Sequence, residues 1–188
     1  MEINTRMFES SLISLAPIDY EKDAEVDVRW THDLDFLHRL GVRPARPLSL
    51  AQVKKRYEQI EKDMDEKKSG YYFTVRLQED DRMVGFVQIH WIEWPHGSGH
   101  IRIGIGDPQD RGKGYGTQAM HLLLNLAFNE LNFHRLSASI LEDNPEGLRF
   151  LRRFGFVEEV RRRQALLRQG QRLDIIHLGL LHSEWSPA

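Results

Sequence analysis

The chain has no cysteine among its 188 residues, which excludes disulfides, thiolate metal sites and a cysteine nucleophile. It also lacks the run of about 18 apolar residues that a membrane-spanning helix needs. Its first residues, Met1 to Arg6, carry no apolar stretch of the kind that directs secretion, so a cytoplasmic protein without membrane association is expected. An excess of charge of one sign is missing as well. The 26 Lys and Arg nearly balance the 28 Asp and Glu, so no global field draws the chain to nucleic acid or anionic lipid. What is present is a composition with 40% hydrophobic and 29% charged residues, ordinary for a folded globular protein. The length suits one domain over 1–188, without internal repeats.

Periodicity and turn chemistry supply the elements. Residues 11–18 suggest a strand ended by Pro17, and a polar helical stretch runs from there to about Gly41, after which Pro44 and Pro47 break the chain. Ser49 with Gln52 forms a capping box before Val53, Tyr57, Ile60 and Met64, which predicts a helix over about 50–68. Strands are expected at 71–77, 83–94 and 100–105, antiparallel because short turns join them. Met120, Leu123, Leu124, Ala127, Phe128 and Leu131 fall on one helical face between Gly116 and Leu131. A strand at 135–141, a helix capped by Asn144 with Pro145 at its first position, and a hairpin of 156–167 with 173–181 complete the order. The pattern implies an α/β fold of the mixed α+β kind. Seven strands form a mostly antiparallel twisted sheet with helices on its faces.

The segment from Ile103 to Thr117 passes from a strand, through Arg111-Gly112-Lys113-Gly114-Tyr115-Gly116, into the most strongly amphipathic helix. Glycines there let backbone N–H groups approach an anion, and a helix N-terminus adds partial positive charge. A Walker A loop is excluded, because Asp107 stands where its first glycine belongs and Gly114 where Ser or Thr would bind the metal. Gly114 to Ala119, with Glu142 downstream, fits the dinucleotide pattern, but the strands before it are antiparallel rather than part of a βαβ unit. The third candidate is the acyl-CoA loop, Gln/Arg-x-x-Gly-x-Gly/Ala, matched by Arg111, Gly114 and Gly116.

With Asn144-Pro145-Glu146-Gly147 and Phe154-Gly155-Phe156 following in order, the chain resembles the GNAT superfamily of N-acetyltransferases from about residue 10 to 182. Within the superfamily it resembles the branch that acetylates ribosomal-protein N-termini, polyamines and some antibiotics. The resemblance implies acetyl-CoA as cosubstrate, no metal, and a primary amine on a small molecule or peptide as acceptor. It places the pantetheine arm along Ile103, Gly104 and Ile105, the pyrophosphate on the N–H groups of Arg111, Gly112, Lys113, Gly114, Tyr115 and Gly116, and the Asn144 side chain on the pantetheine. The family often has a tyrosine acid seven residues after that asparagine, and here the position is Leu151. A non-catalytic acyl-CoA sensor is therefore the second expectation, and a homodimer is compatible with either.

An amine must lose a proton to attack a thioester, so a base belongs near the acetyl group. The hairpin around 90–100 offers His90, Glu93, His96 and His100, and Glu93 is nominated. Strict alternation would put His90, Ile92 and Trp94 on one face and Trp91 with Glu93 on the other. The histidines lack metal-ligand spacing. Trp30, His32 and Phe36 fall where this family builds its acceptor pocket, although core packing is their plainer role. Arg161-Arg162-Arg163, flanked by Glu158 and Glu159, suggests a solvated strand surface rather than a nucleic-acid patch.

Overall fold

Twelve elements alternate along the chain in a computed structural model that describes residues 7–41 and 45–186. They are β1 (Ile13–Ala16), α1 (Lys22–Thr31), α2 (Leu34–Arg39), α3 (Leu50–Asp65), β2 (Gly70–Leu77), β3 (Met83–Glu93), β4 (Ser98–Ile105), α4 (Tyr115–Asn125), β5 (Arg135–Leu141), α5 (Pro145–Arg153), β6 (Val157–Arg168) and β7 (Gln171–Leu181). The sheet order is β1-β2-β3-β4-β5-β7-β6, and every neighbouring pair is antiparallel except β4 with β5. Among the described residues no helix is long and apolar enough to cross a membrane. The expected features at Met1 to Arg6 and Pro44 lie outside the described residues.

Each sheet face carries its own core. One face packs Met120, Leu123, Leu124 and Phe128 onto strand residues such as Val75, Val87, Ile101 and Leu178. The other packs Trp30, Phe36, Val53 and Tyr57 from α1, α2 and α3 onto Tyr72 and Phe86. Buried ions fix α1 over that second face. Arg76 of β2 donates to Asp23 at 2.5 Å, both side chains being buried. Asp27 takes Arg56 and the Tyr57 hydroxyl, the latter at 3.0 Å. Removing one partner of such a pair strands a buried charge, so these contacts set where α1 and α3 can lie.

Three local departures from the sequence pattern have physical causes. The polar helical stretch is two helices, because Asp33 leaves helical geometry and its carboxylate accepts the Phe36 N–H at 3.1 Å, starting α2. The long amphipathic helix ends in a wider turn at Leu126–Glu130, closed by the Leu131 N–H on the Leu126 carbonyl at 2.9 Å. β3 carries a bulge between His90 and Glu93, with Trp91 at φ +52°. Glu93 consequently joins the His90 face instead of the opposite one. Arg161 of the basic triplet pairs with Glu158 at 2.9 Å and with Asp174 at 3.3 Å, on the surface.

Gly106, just after β4, is required by close approach: a Cβ there would lie 1.9 Å from Cε2 of the buried Trp30. The Gly106→Ala variant is expected to lose about 1–3 kcal/mol, because the indole and α1 must move together. Chemical denaturation checks this, and unchanged stability would show that Trp30 does not fix α1.

Candidate active site

β4 pairs with β3 throughout, but with β5 only at Ser98–Arg135, Gly99–Leu136 and His100–Ser137. Beyond His100 the two strands part, β4 staying with β3 and β5 with β7. The edge of Ile101–Ile105 that faces β5 has no ladder partner, and an extended ligand can pair with such an edge as a strand would. Ile101 and Ile103 turn toward α4, whereas His100, Arg102 and Gly104 point to the α1–α3 face.

The glycine loop lies at the open end of this divergence. Gly112 and Gly114 adopt φ +76° and +89°, and Gly114 is the residue preceding α4. It offers no side-chain acceptor to the first N–H groups of α4, which stay available to an anion. Asp110, 1% exposed, fixes the loop by accepting from Arg82 at 2.7 and 3.2 Å and from Lys113 at 3.4 Å. The Arg82 guanidinium holds the Asp110 carboxyl below the usual carboxylate range. The Arg111 side chain turns inward, donating to the carbonyls of Ile105 at 3.2 Å and Gly106 at 2.7 Å and pairing with Asp35 at 3.1 Å. It braces the end of β4 against α2, and only its backbone is left for a ligand.

The resulting cleft has a volume of about 620 Å³ and brings together Ile103, Gly104, Ile105, Arg111, Gly112, Gly114, Gly116 and Asn144. Lys113 and Tyr115 belong to the same loop and helix start, with Tyr115 packed against the core. Asn144 caps α5 by accepting the Gly147 N–H at 3.0 Å. Phe36, Arg39 and Leu40 close the cleft from the α2 side, and Arg39 reaches Glu146 of α5 at 2.6 Å. Leu151 is buried in the core, so an acid at that position is replaced by packing.

His100 is the last residue of β4 paired to β5 on the α1–α3 face. Its register partner is His90, with ring centroids 5.0 Å apart, and the Trp91 ring lies against both. Burial pushes both imidazoles down to about 4, so they are uncharged at neutral pH. Nε2 of His90 is buried without a hydrogen-bond partner among the described residues. Glu93 sits one row behind: it pairs with Ser98, whose hydroxyl donates to it at 3.0 Å. That is roughly 7 Å along the strand from His100, on the closed side of the divergence. Glu93 lines a recess with Trp91, Ser98, His100 and Arg135, so the carboxylate nominated from sequence and the His100 imidazole open into one space. The signal missed was the bulge at Trp91, which carries Glu93 backward along the sheet. Arg102 was also missed, although a charge between Ile101 and Ile103 marks a side chain on the face opposite the core. His96 belongs to the turn after β3, and among the described residues no group of three metal-ligating side chains converges.

A family model, the acetyltransferase (GNAT) domain, matches residues 13–157. The chain belongs to this family of acetyltransferases. A GNAT acetyltransferase uses acetyl-CoA to acetylate amines, and the cleft fits that cosubstrate, with an unsatisfied helix N-terminus for pyrophosphate and an open strand edge for an extended arm. The chain is 22% identical over 165 residues to an uncharacterized N-acetyltransferase of Bacillus licheniformis, covering 88% of this chain and 90% of that protein. It is 26% identical over 103 residues to the spermidine N(1)-acetyltransferase of Vibrio cholerae, covering 55% and 59%. The fold matches the crystal structure of spermidine N-acetyltransferase from Vibrio cholerae in complex with CoA and spermine, with a TM-score of 0.80, 20% identity, and coverage of 93% and 98%.

Replacing Gly114 by valine forces a branched side chain into left-handed backbone geometry and re-aims the N–H groups at the α4 start. Calorimetry on the folded variant is expected to show CoA binding weakened by about tenfold or more. Unchanged affinity would move the anion cradle elsewhere.

Proposed function

We propose that this acetyltransferase joins a primary amine and acetyl-CoA in a ternary complex and transfers the acetyl group directly, without an acyl-enzyme. The observation that carries the proposal is the parting of β4 from β5, which runs into the glycine loop at one end and onto His100 at the other. The pyrophosphate rests on the backbone N–H groups of Arg111 to Gly116, and the pantetheine arm lies along Ile103, Gly104 and Ile105 with Asn144 beside it. Acetyl-CoA brings an activated carbonyl. The chain holds that carbonyl against the free edge of β4, where backbone N–H groups stabilise charge on its oxygen as the amine attacks.

His100 faces the acceptor side at the point of divergence and, being uncharged, accepts the proton that the amine loses, directly or through water. Glu93, two residues behind on the same face, takes a supporting place as an outlet for that proton. No tyrosine stands at position 151, and a CoA thiol is acidic enough to depart as thiolate. The spermidine acetyltransferase among the relatives supports a primary amine as acceptor.

Thiol release from acetyl-CoA, measured over a panel of primary amines, tests the proposal. Amine-dependent release is expected, and tight CoA binding without release for any amine would reassign the chain as an acyl-CoA-binding module. His100→Gln is expected to lower kcat by about 10²–10⁴. In the parent protein the acid limb of kcat is expected to follow groups near 4, because each folded-state value lies below the ordinary 6.5. The same shift makes folding weaken as pH falls from about 6.5 toward 4, since the unfolded chain takes up those protons first. An acid limb at 6.5 would remove the buried imidazoles from the mechanism.

A further inference from the structure

Behind the divergence, under α1, α2 and α3, lies a second cavity of about 300 Å³. It joins the CoA cleft at Phe36 and Leu40, which line both, and Arg102 links it to the gap between β4 and β5. Its floor is one cross-strand row, Tyr72–Gln88–Arg102, adjacent to the row that holds His90 and His100. His100 lines the neighbouring recess with Trp91 and Ser98, and Arg102, two residues on along the same strand face, carries that face into this cavity.

The charges lining it are three guanidiniums, Arg46, Arg56 and Arg102, and one carboxylate, Asp27. That carboxylate is already taken by Arg56 and the Tyr57 hydroxyl. Arg102 has no ion-pair partner among the described residues, and its one hydrogen bond runs from Nη2 to the Leu40 carbonyl at 3.3 Å. A guanidinium has five donors in a planar fork, so most of those on Arg102 face the cavity unused. Burial and the nearby Arg56 both disfavour its charged form. A cation held under a helical layer with nothing opposite it is costly in the free protein and is relieved by an anion. The same surroundings repel the second and third ammonium groups of a polyamine.

We propose that the acceptor is an amine carrying a carboxylate, which seats bidentately on the Arg102 guanidinium while the amine lies at His100. The proposal rests on the acetyl transfer described above and names its substrate class. Arg102 and His100 are two residues apart on one strand face, roughly 7 Å, which suits a straight-chain amino carboxylate of about four to six carbons or a longer molecule presenting that spacing.

The test compares 5-aminopentanoate with 1,5-diaminopentane, which have the same chain length and differ in the distal charge. With saturating acetyl-CoA, the carboxylate is expected to have a kcat/KM about tenfold or more above that of the diamine. Arg102→Met should abolish that preference by raising KM for the carboxylate, leave CoA affinity unchanged, and fold at least as stably because a half-buried unpaired charge is gone. Arg102→Lys should restore part of the preference. A diamine used as well as the carboxylate, or a KM for the carboxylate unmoved in Arg102→Met, overturns the proposal. If acetyl-CoA binds but neither amine is acetylated, transfer itself fails, and calorimetry of pentanoate on the CoA-loaded protein then decides the anion seat: binding lost in Arg102→Met supports it, and equal binding or none in the parent overturns it.

Discussion

The ladder between β4 and β5 runs for three residue pairs and then stops, and the site is arranged around that stop. Each strand is tied firmly to its other neighbour, β4 to β3 and β5 to β7, so the two halves of the sheet twist apart as units. The bulge at Trp91 adds local twist to the β3 side. A sheet interior does not ordinarily leave backbone N–H and C=O groups without partners. Here the unsatisfied edge of β4 opens into a cleft whose far end is an uncapped helix N-terminus, and the proposed seat for CoA rests on these two features.

The two faces of β4 then divide the work. Ile101 and Ile103 anchor the strand in the core beneath α4, while Arg102 enters the polar space below α1–α3 and His100, on the same face, lines the recess beside it. Alternation along a single strand therefore spaces the imidazole and the guanidinium at a fixed interval on one face, the face that the proposed reaction assigns to the acceptor. The buried pair Arg76–Asp23 and the half-buried pair Arg56–Asp27 hold the helices that roof this space. Because Arg56 already neutralises Asp27, the roof is anchored while Arg102 stays unmatched.

Much of this was legible in sequence because it is local. Ser49 and Gln52 form the expected capping box, Asn144 caps α5, and the apolar stripe of Met120 to Phe128 is buried as its spacing required. The glycine loop was legible because positive φ at Gly112 and Gly114 has few alternatives. The placement of Glu93 was not, because one left-handed residue at Trp91 changes which face it occupies, and no local pattern marks it. Asp33 did carry a signal, an N-cap in mid-stretch, that splits the early helix in two. The charge balance of the cavity under α1–α3 was hidden for a different reason: it depends on Asp27 meeting Arg56, a pairing across 29 residues.

Amide hydrogen exchange with and without CoA tests the central claim most directly. If the cosubstrate completes the unpaired edge of β4, adding it protects the amides of Ile101–Ile105 and of the loop from Gly112 to Thr117, while β2 exchanges as before. Protection confined to the loop, with β4 unchanged, would contradict the account.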